Sequence, residues 1–268
     1  MPDLSALGFV EPPFSLSPDP RFFFLSAQHK TALAKITYTI EQRQGLSVVY
    51  GDIGVGKTTV ARRIYQKYHD HPDYEAAYLP MPIFPSEFQL LKAVSGEFGI
   101  PPKRSKYAQI KALNAYLTNA WKQGKNVVLI IDEAQALVGQ QFELIRQMLN
   151  FESNTQKLIQ IVMIGQNELR NKLRLKKALR SRIATRSTIE PLDLTDTRDM
   201  IQFRVMVAGR KVPLFTEPAI QAIYDYSHGM PRDICALGLN ALPLALINQV
   251  DVIDLHLVQR AIDELSDD

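Results

Sequence analysis

A glycine-rich stretch, placed between an apolar run and a helix-forming segment, constrains the fold of this chain more than any other feature. Residues 46–50 predict a short buried strand, and residues 51–58 (GDIGVGKT) follow it and match the pattern G-x-x-x-x-G-K-[ST]. Glycines let backbone N–H groups curl around an anion, and the N-terminus of the following helix adds its dipole. The stretch therefore predicts a phosphate-binding loop (P-loop) for ATP, formed by Asp52, Ile53, Gly54, Val55, Gly56, Lys57, Thr58 and Thr59. Within it, Lys57 is expected to reach the β- and γ-phosphates and the Thr58 hydroxyl to bind Mg²⁺.

The order of the remaining patterns predicts an α/β fold with a central parallel sheet. Residues 127–131 and 158–164 are apolar runs typical of strands buried on both faces of such a sheet, and residues 76–79 predict a further strand. Helical patterns cover residues 58–69, 85–98 and 107–122, and after residue 191 only helical patterns follow, at 195–209, 217–228, 231–248 and 255–265. We expect three parts: an extended N-terminal arm (1–25), an α/β nucleotide-binding domain (26–191) and a small helical lid domain (192–268).

The arm is rich in proline and phenylalanine. Its prolines, which disfavour helix, include Pro12, Pro13, Pro18 and Pro20. Its aromatic side chains must be buried either on the domain behind the arm or on a neighbouring subunit.

Composition excludes several classes of protein. The single cysteine, Cys235, excludes a disulfide within the chain and a cysteine-based zinc site. No run approaches the ~18 apolar residues of a membrane span, and the N-terminus lacks a signal-peptide pattern, so a soluble cytoplasmic protein is expected.

Polar side chains follow two of the predicted strands. Asp132 and Glu133 come directly after the apolar run 127–131, at the sheet edge where ligands bind in such folds. Asp132 is expected to hold Mg²⁺ and Glu133 to polarise an attacking water. Gln166, or alternatively Asn167, follows the run 158–164 and would touch the γ-phosphate.

Three basic features suggest anionic partners. The segment 170–186 holds eight basic residues and no acidic one, and Arg170, Arg174 and Lys177 are predicted to share one helical face. Arg232, at the start of a lid helix, is predicted to sense the γ-phosphate. The loop 101–107 contains Lys103, Arg104 and Lys106, which are candidates for nucleic-acid phosphate contacts.

The order of these elements resembles that of AAA+ ATPases, and four segments resemble the ExeA/GspA family of bacterial AAA+ proteins: residues 14–26, 165–169 (GQNEL), 179–183 (LRSRI) and 229–232 (GMPR). The chain is also similar to TnsC/TniB/MuB-like regulators of transposition. The resemblance implies that Gln166 is sensor 1, that Arg232 is sensor 2, and that Arg182, or else Arg180, is an arginine finger acting on the ATP of the next subunit. Asn167 departs from the family, in which proline is frequent at this position.

ExeA-like proteins continue into a membrane span and a peptidoglycan-binding region, whereas this sequence ends at Asp268. On that ground the first expectation is an ATP-hydrolysing regulator of transposition that forms a homo-oligomeric ring or helical filament on duplex DNA and recruits a transposase or target-selector protein. Two alternatives remain: an ExeA-like ATPase for assembly of a secretion or pilus system, and a nucleotide-gated scaffold with little turnover.

Overall fold

The computed structural model describes residues 4–16 and 19–266, so Ser17 and Pro18 of the predicted arm lie outside the described residues. The described chain divides into two compact units. The sheet unit consists of Ala27–Ile53 and Lys57–Ile189. The helical unit takes in the described residues before Ala27, the short stretch Gly54–Gly56, and the described residues from Glu190 onward.

The sheet unit is built on five parallel strands in the order β2-β3-β4-β1-β5. They are β1 (Leu46–Gly51), β2 (Tyr74–Leu79), β3 (Asn126–Ile131), β4 (Ile159–Gly165) and β5 (Ile183–Ile189). The three inner strands are buried along their whole length, as their apolar runs require. The predicted α/β fold with a central parallel sheet is confirmed. Because β3, β4 and β1 are neighbours and parallel, the residues that follow them meet at one edge of the sheet.

Seven helices accompany the strands: α1 (Ala27–Glu41), α2 (Lys57–His69), α3 (Glu87–Glu97), α4 (Lys106–Lys122), α5 (Gly139–Met148), α6 (Asn167–Arg174) and α7 (Lys177–Arg180). Ser86 and Ser105 cap α3 and α4, because their hydroxyls accept hydrogen bonds from backbone N–H groups in the first turn of each helix. Fully buried leucines of these two helices join the core of the sheet unit. Helix α5 is an element that the sequence patterns did not predict.

The basic segment 170–186 differs from its prediction. Helix α6 ends at Arg174, and Lys176 has a non-helical backbone (φ −104°, ψ 66°) before α7 begins at Lys177. Arg170, Arg174 and Lys177 therefore do not share the face of one helix. The segment then enters β5, a strand at the edge of the sheet that alternates buried and exposed residues. Strand β5 has no apolar run, because Thr185, Arg186 and Thr188 are polar, and the sequence pattern therefore did not predict it.

The described part of the helical unit contains four α-helices, α8 (Leu194–Val207), α9 (Glu217–Ser227), α10 (Pro231–Ile247) and α11 (Leu255–Ser266). Asp193 and Thr216 cap α8 and α9 through side-chain oxygens. These four helices share one apolar core with the described residues of the N-terminal arm.

The arm is bound to the helices of its own chain. Phe14 is fully buried, packs edge-on against Phe215 at 5.9 Å between ring centroids, and lies against Gly238 of α10. A Cβ at Gly238 would come within 2.6 Å of the Phe14 ring. The Arg204 guanidinium donates hydrogen bonds to three arm carbonyls, those of Pro13, Ser15 and Phe22. Of the two burial sites considered for the arm aromatics, Phe14 thus occupies the one within the chain.

Candidate functional site

The glycine-rich loop has the backbone that phosphate binding needs. Gly54 and Gly56 have φ angles of 91° and 93°, a region that residues with a Cβ rarely adopt. Helix α2 begins at Lys57, so its first N–H groups are free of intrahelical partners. The Lys57 ammonium is buried and donates to the Asp52 carbonyl at 2.7 Å. Burial lowers the pKa of Lys57, and the charges of Glu133 and Asp132 oppose that shift.

Asp132 follows β3 and is almost wholly buried, with 1% of its surface exposed. Its carboxylate accepts hydrogen bonds from the Tyr78 hydroxyl (3.1 Å) and the Glu133 backbone N–H (2.9 Å). Burial raises the pKa of Asp132, and a hydrogen bond with the Thr58 side chain opposes that rise. Burial, with the neighbouring Asp132 charge, also raises the pKa of Tyr78 to about 12.

These contacts place the side chains of Thr58 and Asp132 together. A hydroxyl beside a buried carboxylate is a donor set that suits Mg²⁺, which keeps most of its waters and takes few protein ligands. The residues present therefore fit the predicted metal, with Thr58 and Asp132 as its holders.

Glu133 has a left-handed backbone (φ 49°, ψ 36°), a conformation that is uncommon for a residue with a side chain. One of its carboxylate oxygens accepts hydrogen bonds from the Gln135 side-chain amide and, at 3.4 Å, from the Gln166 side-chain amide. The side chains of Glu133 and Gln166 thus lie together, and their roles as a water-polarising carboxylate and a γ-phosphate sensor stay predictions.

Gln135 is a site residue that sequence reasoning missed. Its amide group joins two strand ends, because its nitrogen donates to Glu133 and its Oε1 accepts from the Gln166 backbone N–H at 3.0 Å. Gly165 leaves the space for it: a Cβ at Gly165 would lie 2.7 Å from Gln135 Oε1 and 3.1 Å from Gln135 N. The only sequence signal was a glutamine two residues after the Asp-Glu pair.

Asn167, the alternative sensor, has a different partner. Its side-chain amide donates to the Asp52 carboxylate at 2.6 Å, so it touches the P-loop rather than Glu133. Gln166 remains the better placed of the two beside Glu133, and the assignment of sensor 1 stays a prediction.

The two finger candidates differ in how they are bound. Arg182 donates to the Ala178 carbonyl (2.9 Å) and to the Asn150 side chain (2.8 Å). In the described part of the chain, the exposed Arg180 guanidinium has no hydrogen bond or ion pair. The choice between them stays open.

Arg232 occupies the second position of α10, after Pro231, and is exposed. Gly54, which groups with the helical unit, lies beside it: a Cβ at Gly54 would be 3.1 Å from Arg232 Cβ. Its sensor 2 role stays a prediction.

The predicted DNA contacts lie around the start of α4. Lys103 and Arg104 are exposed on the loop before the helix. Lys106 is the first residue of α4 instead of a loop residue, and its ammonium forms an ion pair with Glu87 at 2.6 Å. Its charge is thus already partly compensated, which leaves Lys103 and Arg104 as the freer pair.

A comparison with protein families identifies the family of the chain. A family model described as an AAA domain matches residues 40–173, half of the chain. The chain belongs to this AAA domain family, whose P-loop fold binds nucleotides.

The chain is also similar to a characterised bacterial protein. The chain is 37% identical over 231 residues to "General secretion pathway protein A" of Aeromonas hydrophila, covering 84% of this chain. The chain spans 41% of the length of that relative.

Solved structures share the fold at low identity. The ORC2 protein of Aeropyrum pernix superposes with a TM-score of 0.70 at 16% identity, covering 96% of this chain and 72% of that one. Drosophila ORC bound to DNA gives 0.67 at 17% (97% and 64% covered), and the RuvB Holliday junction branch migration motor of Thermotoga maritima gives 0.58 at 18% (88% and 69% covered). Among the described residues, no helix is long and apolar enough to cross a membrane.

Proposed function

We propose that the chain is an ATP hydrolase of the GspA kind, whose nucleotide cycle drives assembly of a secretion or pilus system. The observation that carries the hydrolase part is the cluster Asp132, Glu133 and Gln166, joined by hydrogen bonds, with Lys57 near enough for the charges of Glu133 and Asp132 to act on it. The 37% identity to a general secretion pathway protein supports the assembly role ahead of the transposition role that the sequence first suggested.

The cluster suits attack of water on the γ-phosphate. The P-loop backbone and Lys57 would hold the phosphates and offset their charge. Bound with the nucleotide, Mg²⁺ would be held by Thr58 and Asp132 and would neutralise further phosphate charge. Glu133 would accept a proton from the attacking water, and Gln166 would orient that water by hydrogen bonding.

Turnover would depend on assembly of identical subunits. An arginine finger, Arg182 or Arg180, would come from the neighbouring subunit of a ring or filament, and such a residue changes rates by roughly 10³–10⁵-fold. Arg232 would couple the state of the γ-phosphate to movement of the helical lid.

Steady-state phosphate release tests the hydrolase proposal. The test variant is Glu133→Gln, whose side chain preserves size and hydrogen bonding but cannot take up a proton from water. We expect steady turnover by the unmodified chain and a loss of about 10²–10⁴-fold in the variant, with ATP still bound. A burst that stops after one turnover in the unmodified chain would instead support the nucleotide-gated scaffold.

A second candidate is an ATPase that binds duplex DNA and regulates transposition, with a transposase or target selector as partner. The exposed pair Lys103 and Arg104 favours it, because such side chains hold backbone phosphates without reading sequence. Adding duplex DNA to the turnover assay separates the candidates. Unchanged turnover and no assembly on DNA favour the secretion role, whereas DNA-stimulated turnover lost in a Lys103→Gln/Arg104→Gln variant favours the DNA role.

A further inference from the structure

A cavity of about 190 Å³ lies in the sheet unit, between the end of α6, helix α7, the inner strand β1 and the edge strand β5. Four arginines line it: Arg170 and Arg174 of α6, Arg180 of α7 and Arg186 of β5. Tyr50 and Thr188, paired residues of β1 and β5, also line it. Among the residues that the structure describes, no acidic one lines the cavity. The space is large enough for several water molecules.

Two of the arginines are held in place. The Arg170 guanidinium donates to the Thr188 hydroxyl at 2.8 Å and lies 5.2 Å from the centroid of the Tyr50 ring. Arg186 donates to the Arg180 backbone carbonyl at 2.9 Å. None of these partners carries a negative charge in the neutral range, because burial raises the pKa of the Tyr50 phenol despite the two nearby guanidiniums. The contacts fix geometry without cancelling charge.

The other two arginines keep their donors available. Within residues 4–16 and 19–266, the Arg174 and Arg180 side chains have no hydrogen bond or ion pair. Arg174 lies one helical turn after Arg170, a spacing at which like charges repel each other. A guanidinium presents five N–H donors in a planar fork that matches phosphate oxygens.

All four arginines are exposed, so water screens their charges in part. Because they line one concavity, their potentials still add there, and a bound anion would offset them. A carboxylate from the chain itself would serve, as Glu143 does for Arg146 elsewhere in the unit, but the described part of the cavity lining holds none. We propose that this cavity binds a phosphate group, carried either by a free phosphorylated molecule or by a nucleic-acid backbone.

This site is separate from the P-loop of its own chain, although its Arg180 is also the alternative arginine finger. It is lined by residues of α6, α7, β1 and β5 and includes neither Lys57 nor Thr58. Its test therefore uses the full chain carrying Lys57→Ala, so that phosphate binding at the P-loop does not contribute to the measured binding. The result can then be interpreted whether or not the ATPase proposal holds.

Calorimetric titration with inorganic phosphate at constant ionic strength, against chloride as reference, measures the site. Arg170→Gln/Arg174→Gln removes two forks, and Lys111→Gln/Lys122→Gln on α4 removes the same charge from a distant exposed surface. We expect phosphate to bind about tenfold or more weakly to the arginine variant and within twofold to the lysine variant. Arg174→Gln alone gives the same reading if the double variant folds poorly by circular dichroism.

Phosphate heat no larger than that of chloride, or equal phosphate affinity in both variants, would overturn the proposal. If binding is found, a short duplex DNA without terminal phosphates identifies its source. Competition between this DNA and inorganic phosphate assigns the site to a nucleic-acid backbone. Absence of competition assigns it to a free phosphorylated molecule, and both results support the site itself.

Discussion

Replacing Gly165 by alanine perturbs the catalytic cluster without touching the P-loop. The added Cβ would lie 2.7 Å from Gln135 Oε1, 3.0 Å from a Leu169 methyl and 3.1 Å from the Gln135 backbone nitrogen. The backbone nitrogen cannot rotate away, so the Gln135 side chain and the turn after β3 must shift. We expect Gln135 to lose its hydrogen bonds to Glu133 and to the Gln166 N–H.

The expected loss of stability follows from these contacts. Overpacking costs about 1–3 kcal/mol, and the lost hydrogen bonds to Glu133 and to the Gln166 N–H add about 1 kcal/mol each. Replacing glycine by alanine returns about 0.4–1 kcal/mol through the unfolded chain. The net destabilisation is thus about 3 kcal/mol. Turnover should fall by about tenfold or more, because Glu133 and Gln166 lose their common partner, while ATP affinity stays within about twofold.

Urea unfolding followed by circular dichroism and steady-state phosphate release measure the two effects separately. Gly96→Ala is the matched control, since Gly96 lies in α3 and a Cβ there would meet no atom within 4 Å. This control should be as stable as the unmodified chain or more so. A Gly165→Ala protein with the stability and turnover of the control would refute the role given to Gln135.

Phe14→Ala should reduce the free energy of unfolding by about 3–5 kcal/mol, because the ring is fully buried. Gly238→Ala should destabilise the unmodified chain but stabilise the Phe14→Ala variant, because the added Cβ meets the ring in the first and fills its space in the second. A double-mutant cycle in urea measures whether the effect of Gly238→Ala on the free energy of unfolding changes sign. Burial raises the pKa of Asp132 above its ordinary 3.8, so ionising this carboxyl destabilises the fold and stability is lost as pH rises from that value through the raised pKa. The stability of Asp132→Asn relative to the unmodified chain should therefore rise over that pH window and stay constant above it. A difference in stability that is the same at every pH would contradict the raised pKa of Asp132. Arg182→Ala should abolish turnover, on the order of a thousandfold, with ATP binding intact; if Arg180→Ala has that effect instead, the finger lies two residues earlier.

The inner part of the fold could be predicted because its signals are local. Strands β1, β3 and β4 are buried throughout and mostly apolar, since both faces of each are covered, and the turns after them carry the charged and amide residues of the site. Asp132, Glu133 and Gln166 were found for this reason, as was the P-loop.

The remaining features depend on contacts that sequence patterns do not show. β5 lies at the sheet edge, so its alternating polar residues resembled the end of a basic segment. The role of Gln135 requires knowing that β3 and β4 are neighbours. Burial of Phe14 against Gly238 joins residues more than 200 positions apart in the chain, which no local pattern reports.

The central claim is that the loop 51–58 forms an ATP site through Lys57. Its most direct test is ATP affinity, measured with a fluorescent nucleotide on the unmodified chain and on Lys57→Ala. We expect the unmodified chain to bind ATP saturably and the variant to show no measurable ATP binding, because the variant lacks the buried ammonium that would meet the phosphates. Equal ATP affinity in the two proteins would contradict it.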